Sequence, residues 1–301
     1  MGGAFERFIG VDWSGAAKRS GQHVFVAEAH RHDARITLAS VVRARDRAAV
    51  EAWLAGDPLE HAPEWRDWPG PAALDNRARR IVALDFAFGF PSDFEHPQAD
   101  GQWTWPDLAS WAASLDSANG SPEAELRSVR SAIAESPELS RQFRLGAGGG
   151  SSAKRTCDPR GAASVFHLIG PSQVGLGSIT GMAMLHRLRG HADVAVWPFD
   201  PPECIERAGA VLVEVFPRMW LQPGLRKNEL PPRIRQLDAW EHEGVTFSTD
   251  AERAAISSGD ALDAAAAAIG TAKSWDRLPA PLELPEEARR REGWIVGVPA
   301  G

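Results

Sequence analysis

The chain has 301 residues, of which 44% are hydrophobic and 24% charged, and its formal net charge is −7. This composition is ample for a packed interior, and the absence of any apolar run of roughly 18 residues predicts no transmembrane helix and no membrane partner. The negative charge argues against a strong general attraction to nucleic acid, although a local basic patch is compatible with it.

Three strand-like runs open the chain and are typical of an antiparallel meander. They are Phe8–Trp13, Gln22–Ala29 and Arg35–Arg43. A tight turn is predicted at residues 14–16, and Asp46 is placed to cap a short helix over Arg47–Leu54. Residues 56–78 are rich in Pro, Trp and charge, which indicates an excursion on the surface.

A buried strand over Arg80–Asp85, closed by a turn at residues 86–91, precedes a very long interval. Three helical patterns and one short strand-like run occur within this interval. The helices are predicted over Pro106–Leu115, Glu123–Glu135 and Ile179–Arg189, and the strand over Val194–Trp197. Because a connection of this length usually contains inserted structure, we interpret residues 92–205 as a largely helical insertion into a core formed by residues 1–91 and 206–301.

The last third of the chain resumes the alternation of strands and helices. A strand-like run at residues 211–214 is followed by helices over Pro231–Glu243 and Asp260–Lys273 and by a final strand over Gly293–Val298. An antiparallel meander followed by parallel strands and helices predicts an α/β fold, with a mixed sheet flanked by helices. In such sheets, active sites lie at the carboxyl ends of the strands.

Lone carboxylates follow three of the apolar runs, at Asp12, Asp85 and Glu214. A strand without a polar face lies inside a sheet that is covered on both sides, and a carboxylate at its end is costly to desolvate without a positive partner. Asp260 and Asp263 lie one turn apart on the last helix, in Ala-rich surroundings that permit close approach to the sheet. Hard cations prefer oxygen ligands, so this set predicts a Mg²⁺ or Mn²⁺ site with Asp12, Asp85 and Asp263 as ligands.

Each of these carboxylates also has a structural interpretation. The two aspartates at strand ends are placed to accept hydrogen bonds from turn amides. Glu214 has Arg218 or Lys227 as a candidate ion-pair partner, and ion-pair networks also bury carboxylates. Ser257 and Asp260 have the spacing of a helix capping box, so Asp260 is either part of a cap or a second ligand on the helix.

The densest basic stretch of the insertion lies around a glycine-rich loop at residues 146–152. It contains Arg141, Arg144, Lys154, Arg155 and Arg160. Such residues either contact substrate phosphates or form a solvated face, and the pattern leaves both alternatives open. We interpret the loop as flexible rather than as a phosphate-binding P-loop, because no Gly-Lys-Ser/Thr follows it.

The two cysteines, Cys157 and Cys204, are far apart and belong to no Cys-x-x-Cys motif. Neither a disulfide framework nor a structural zinc site is therefore expected. The first residues lack a signal-peptide pattern, and we expect a cytoplasmic protein.

A set of short motifs spread over nearly the whole chain carries a family resemblance. The motifs are Gly10-Val11-Asp12, Ala83-Leu84-Asp85, Gly89-Phe90-Pro91, Val213-Glu214-Val215-Phe216-Pro217, Lys227, Asp260-Ala261-Leu262-Asp263-Ala264 and Glu292-Gly293-Trp294-Ile295. Together they resemble domain-of-unknown-function family 429, a group of predicted RNase H-like nucleases. The resemblance implies an RNase H-like fold with a mixed five-stranded sheet, in which Asp12 lies on the first strand, Asp85 on the fourth, and Asp260 and Asp263 on the last helix. Ordinary RNase H carries a Glu on its first helix, and Glu51 is the residue available for that place here.

The resulting hypothesis is a metal-dependent phosphodiesterase that acts on nucleic acid. Its catalytic residues are the metal ligands Asp12, Asp85 and Asp263, with Asp260 assisting and Glu214 as an additional or supporting ligand. The residues expected to bind substrate phosphates are Lys227, Arg155 and Arg160. Two alternatives remain: an ATP-using enzyme of the actin and sugar-kinase group, and a non-catalytic nucleic-acid-binding module with the same fold.

Overall fold

The computed structural model of the protein describes residues 5–13, 24–55, 79–97, 102–115, 122–170 and 173–300. The turn expected at residues 14–16, the first two residues of the strand expected from Gln22, and the excursion expected at residues 56–78 lie outside the described residues.

A mixed sheet of seven strands, which is not closed, forms the centre of the described structure. Its strands are β1 (Arg7–Asp12), β2 (Phe25–His32), β3 (Arg35–Arg43), β4 (Arg80–Leu84), β5 (Val194–Val196), β6 (Ala210–Glu214) and β7 (Val245–Phe247), in the spatial order β5-β6-β4-β1-β2-β3-β7. The first three strands form the expected antiparallel meander. Strands β4, β6 and β5 run parallel to β1, and β7 runs parallel to β3.

The expected number of five strands was wrong, and so was the expected strand at Gly293–Val298. In that segment a single bridge joins Ile295 to Glu214. Gly293 and Gly297 have φ angles of 77° and 88°, so the backbone leaves the extended conformation at both ends of the segment. The prediction missed β7 because only one of its three residues, Val245, is fully buried, whereas the equally short β5 is a continuous apolar run and was expected.

Helices cover both faces of the sheet. They are α1 (Arg47–Leu54), α2 (Trp105–Leu115), α3 (Pro122–Glu135), α4 (Pro137–Gln142), α5 (Gly175–Leu188), α6 (Pro202–Arg207), α7 (Leu230–His242), α8 (Thr249–Ala255) and α9 (Gly259–Ser274). Asp46 caps α1 as expected, because its carboxylate accepts a hydrogen bond of 2.8 Å from the Ala49 amide. In the described ranges, none of the helices has the length and apolar character needed to cross a membrane.

Successive residues of the central strands belong to two different hydrophobic clusters, one on each face of the sheet. Ile9 and Leu84 belong to the cluster that contains side chains of α2, α3 and α5, and we call this side the insertion face. Phe8 and Ala83 belong to the cluster that contains side chains of α8 and α9, and we call this side the α9 face. Because both faces are covered, β1 and β4 are buried along nearly their whole length, which explains their uninterrupted apolar sequence.

Segment 92–205 is therefore an integral part of the structure. Its helices α2, α3 and α5 pack on the insertion face, and its strand β5 pairs with β6 at one edge of the sheet.

The approach of α9 to β1 is close enough to require glycine at position 10. A Cβ atom on Gly10 would lie 2.2 Å from the carbonyl oxygen of Ala264 and 2.4 Å from the amide nitrogen of Ala268. The alanines of α9 are fully buried against the sheet, as their clustering in the sequence predicted. This contact brings the first two turns of α9 to the carboxyl end of β1.

Substitution of Gly10 by Ala is expected to lower the free energy of unfolding by at least about 1–3 kcal/mol, because the new methyl group meets helix backbone that cannot rotate away. The control is Gly146→Ala, where a new Cβ has no atom within 4 Å. Urea denaturation of both variants measures the difference. Equal stability of Gly10→Ala and the parent protein would contradict the close contact.

Candidate metal centre

The pairing register of β1 and β4 places Asp12 and Asp85 side by side. Val11 pairs with Leu84, and the Asp85 amide donates a hydrogen bond of 3.0 Å to the Val11 carbonyl. Asp12 lies two residues beyond Gly10, and Asp85 lies two residues beyond Ala83, which is also on the α9 face. Because side chains two positions apart on a strand share a face, both aspartates lie on the α9 face, at the carboxyl edge of the sheet.

The third aspartate of the group comes from α9. Ser258 caps this helix by accepting a hydrogen bond of 3.0 Å from the Ala261 amide, so the cap is Ser258 and not the expected Ser257. Asp263 follows in the second turn. Oxygen atoms of Asp12, Asp85 and Asp263 all lie within 4.8 Å of one another, and the group could hold a metal ion.

Burial and mutual repulsion disfavour the charged forms of the three aspartates. Burial, with Asp85 and Asp263 adding to it, raises the pKa of Asp12 well above its ordinary value. Burial, followed by the charge of Asp263, raises the pKa of Asp85 to about 8. Burial also raises the pKa of Asp263, although Lys227 opposes that rise.

Lys227 supplies the nearest positive charge. Its Nζ donates a hydrogen bond to Asp263 in an ion pair. Burial alone would lower the pKa of Lys227, but the carboxylates of Asp263, Asp12 and Asp85 raise it above its ordinary value, so the side chain stays an ammonium ion. One ammonium ion beside three carboxylates leaves a deficit of positive charge, and an oxygen-only donor set of this kind is what hard divalent cations prefer.

The buried Arg233 of α7 fixes the backbone of Lys227. Its guanidinium donates hydrogen bonds of 2.7 Å each to the carbonyls of Lys227 and Ile256. This role could not be predicted from the sequence, because an arginine on a helix surface and a buried arginine that binds carbonyls look the same in a sequence.

A cavity of about 350 Å³ lies over the three aspartates. Asp260 and Lys227 also line it. Asp260 is in the first turn of α9, where the helix dipole favours negative charge, but it is outside the group of three converging carboxylates. A wall of apolar side chains completes the lining, and it includes Ala162, Ala163, Val165, Val174, Leu221 and Leu225.

Glu214 occupies a different position from the aspartates. It pairs with Leu84, one residue before Asp85, so its side chain leaves the sheet on the insertion face although it also lines the cavity. Its partner is Arg155 rather than the expected Arg218 or Lys227, with two hydrogen bonds of 2.5 and 2.7 Å between them. Burial raises the pKa of Glu214, and Arg155 opposes that rise.

Arg155 is committed to contacts within the protein. Its side chain is 2% exposed, and besides Glu214 it donates hydrogen bonds to Asp158 and to the Glu292 carbonyl. The structure therefore places it as a support for Glu214, in contrast to the phosphate contact expected from the sequence. Arg160 is exposed and is absent from the described lining of the cavity.

Glu214 and Arg155 together hold the loop that follows Asp85. The Phe88 amide donates a hydrogen bond of 2.8 Å to Glu214, and the neighbouring Ala87 amide donates one of 3.1 Å to Ser178. These two bonds fix the backbone at Ala87 and Phe88, which are two and three residues beyond Asp85.

Glu51, the residue available for the first-helix glutamate, lies elsewhere. Its carboxylate forms an ion pair with Arg187 at 2.5 Å, and it is not part of the described cavity lining.

Comparisons of the chain with protein-family models, with curated proteins and with solved structures returned no match.

Removing one partner of the buried pair is expected to be costly. Arg155→Met leaves Glu214 buried without its counter-charge, and we expect the free energy of unfolding to fall by about 3–5 kcal/mol. The double variant Arg155→Met with Glu214→Gln should lose less than the sum of the two single variants, because the charge left behind is removed.

The matched control for this cycle is Arg290→Met. Arg290 forms an exposed pair with Glu286 at 3.0 Å, so the expected loss is below about 1 kcal/mol. A loss of similar size for the buried and the exposed arginine, measured by urea denaturation, would contradict the assigned role of Arg155.

The raised pKa of Asp85 predicts how stability depends on pH. In buffer without divalent cations, the folded protein holds the Asp85 proton up to pH about 8, whereas the unfolded chain releases it near pH 4. Stability is therefore greatest below pH 4 on account of this group and is lost as the pH rises towards 8. Asp85→Asn should flatten this slope in denaturation curves recorded from pH 4 to 8, and an unchanged slope would show that the aspartate is not desolvated.

Proposed function

We propose that the protein is a divalent-metal-dependent phosphodiesterase with an RNase H-like fold. The observation that carries this proposal is the convergence of Asp12, Asp85 and Asp263 within 4.8 Å at the carboxyl edge of parallel strands, beneath a cavity. The chain order of these residues on the first strand, after the fourth strand and on the last long helix is the order that the resemblance to family 429 implies.

The arrangement of the sheet supports the RNase H-like part of the proposal. Strands β3, β2, β1, β4 and β6 are contiguous in the sheet, and they form a mixed set of five. The three-residue strands β5 and β7 extend this set at its two edges.

The residues have distinct roles in the proposed site. The carboxylates of Asp12, Asp85 and Asp263 would hold Mg²⁺ or Mn²⁺, which in such sites polarises a phosphoryl oxygen and lowers the pKa of water. Asp260 adds negative charge beside them, and Lys227 holds Asp263 in place and remains protonated. Glu214 and Arg155 act indirectly, because they fix the loop after Asp85.

The proposed reaction is hydrolysis of a phosphodiester. The oxygen of water forms a new bond to phosphorus, one P–O ester bond breaks, and the proton released by water ends on the leaving oxygen. Nucleic acid is the substrate class that the resemblance implies.

Metal binding is expected to stabilise the folded protein, since the three converged carboxylates exist only in the native state. At a Mn²⁺ concentration 100 times its Kd, the gain is about 2.7 kcal/mol, which thermal unfolding detects as a higher Tm. Asp12→Asn should abolish the gain, whereas Glu51→Gln should retain it because Glu51 lies outside the cavity lining. Loss of the effect in Glu51→Gln would place the centre elsewhere.

The same variants test catalysis. With Mn²⁺, the parent protein and Glu51→Gln should hydrolyse an activated diester, bis(p-nitrophenyl) phosphate, and Asp12→Asn should not. Activity that persists in Asp12→Asn would belong to a contaminant. An absence of both metal stabilisation and hydrolysis would favour the non-catalytic binding module, and a Tm increase with ATP would favour the ATP-using alternative.

A further inference from the structure

The charge of the cavity lining bears on the size of the substrate. The described lining contains six carboxylates and three cationic side chains. The carboxylates are Asp12, Asp85, Asp158, Glu214, Asp260 and Asp263, and the cations are Arg155, Arg218 and Lys227. Binding along a polyanion needs a row of Lys or Arg residues that neutralise successive phosphates. This lining offers no such row among the described residues.

Two of the three cations are already engaged. Arg155 binds Glu214 and Asp158, and Lys227 binds Asp263. Arg218 differs from both, because it is exposed and no hydrogen bond or ion pair joins its guanidinium to another described residue. Among the described residues of the lining, Arg218 is thus the cation whose guanidinium is not engaged with another side chain, whereas Lys227 already uses one of its three donors on Asp263.

Arg218 is also held in a fixed place. It belongs to the short 3₁₀ turn Pro217–Trp220. Only Val215 and Phe216 separate this turn from the end of β6. The Trp220 ring of this turn packs on Gly270 of α9, where a Cβ atom would lie 2.0 Å from the ring. The turn is therefore packed against the helix that carries Asp263. Burial raises the pKa of that aspartate, and the charges of Lys227 and Arg218 oppose the rise.

The cavity also has an apolar wall. Ala162, Ala163, Val165 and Val174 of the insertion line the cavity together with the three aspartates. A volume of about 350 Å³ lies at the lower end of the range of roughly 300–1,000 Å³ for small-molecule sites. Alkyl side chains suit an apolar or aromatic group, whereas they offer nothing to a sugar–phosphate backbone.

We infer that the cavity accepts a small phosphodiester, of the size of a single nucleotide, that carries one apolar or aromatic group. This inference rests on the proposed function. Arg218 donates hydrogen bonds to the non-bridging oxygens of the phosphate, and the alkyl wall of the insertion contacts the apolar group. Hydrolysis proceeds as written above, with water as the second reactant and an alcohol as the leaving product.

The test compares the p-nitrophenyl ester of thymidine 5′-phosphate with single-stranded and duplex oligonucleotides that carry the same p-nitrophenyl ester on their 5′-terminal phosphate, all with the Mn²⁺-containing protein, so that the leaving group is the same and only the size of the substrate differs. The small ester should be hydrolysed with the higher kcat/KM. Arg218→Ala should raise its KM by about 10- to 100-fold, the loss expected for a hydrogen bond to a charged group, with a smaller change in kcat. Arg218→Lys should recover part of the loss, and Arg226→Ala should have no effect, because Arg226 is exposed, paired with Glu229 and outside the described lining.

A second variant examines the wall. Ala163 is partly exposed, so Ala163→Trp should fold and reduce kcat/KM for the aromatic ester more than for methyl p-nitrophenyl phosphate. A higher kcat/KM for either oligonucleotide would overturn the inference about substrate size while leaving the phosphodiesterase proposal intact. An unchanged KM in Arg218→Ala would overturn the role of Arg218. Failure to hydrolyse any of these esters, together with no Mn²⁺-induced rise in Tm, would overturn the proposed function itself.

Discussion

The packing of α9 against β1 is the contact on which the candidate site depends. The helix backbone lies so close to Gly10 that no side chain fits between the two elements, and the buried alanines of the helix allow this approach along its length. The same contact carries Asp263 to the end of β1, where the pairing of β1 with β4 has already placed Asp12 beside Asp85. A larger residue at position 10 would move the helix away and separate the third carboxylate from the first two.

Bringing three carboxylates together in a buried place opposes folding, and the fold offsets only part of that cost. Lys227 lies beside Asp263, and the N-terminus of α9 presents its positive dipole end to Asp260 in the first turn. The raised pKa values of Asp12 and Asp85 show that these contributions do not restore the charged forms to their ordinary stability. Buried titratable groups that oppose folding in this way are commonly part of functional sites. A divalent cation would supply the missing positive charge here.

Elements with a long and regular pattern could be predicted from the sequence. The meander, the cap of α1 and most of the longer helices are examples, because apolar runs and helical periodicity determine them locally. The convergence of Asp12, Asp85 and Asp263 was expected on a different ground, namely that the carboxyl ends of strands meet at one edge of a sheet and that an Ala-rich helix can approach it closely. The number of strands could not be obtained in this way, since β7 has only three residues and an exposed Thr246 at its centre, without the continuous apolar run that marks β5. The partner of Glu214 was equally inaccessible. Arg155 is distant in sequence and lies in the part of the chain with the weakest motif resemblance.

The contrast between Asp85 and Glu214 shows why a sequence pattern does not by itself assign a role. Both residues follow apolar runs, but the register of β4 and β6 is offset so that Glu214 pairs with Leu84, and side chains one position apart point to opposite faces. The α9 face therefore carries the aspartates, while the insertion face carries the ion pair of Glu214 and Arg155. That pair binds the Phe88 amide and so fixes the loop that begins at Asp85. The insertion thus affects the site without providing a metal ligand. Its Arg155 neutralises Glu214, and Glu214 in turn holds the loop that begins at Asp85, on the other face of the sheet.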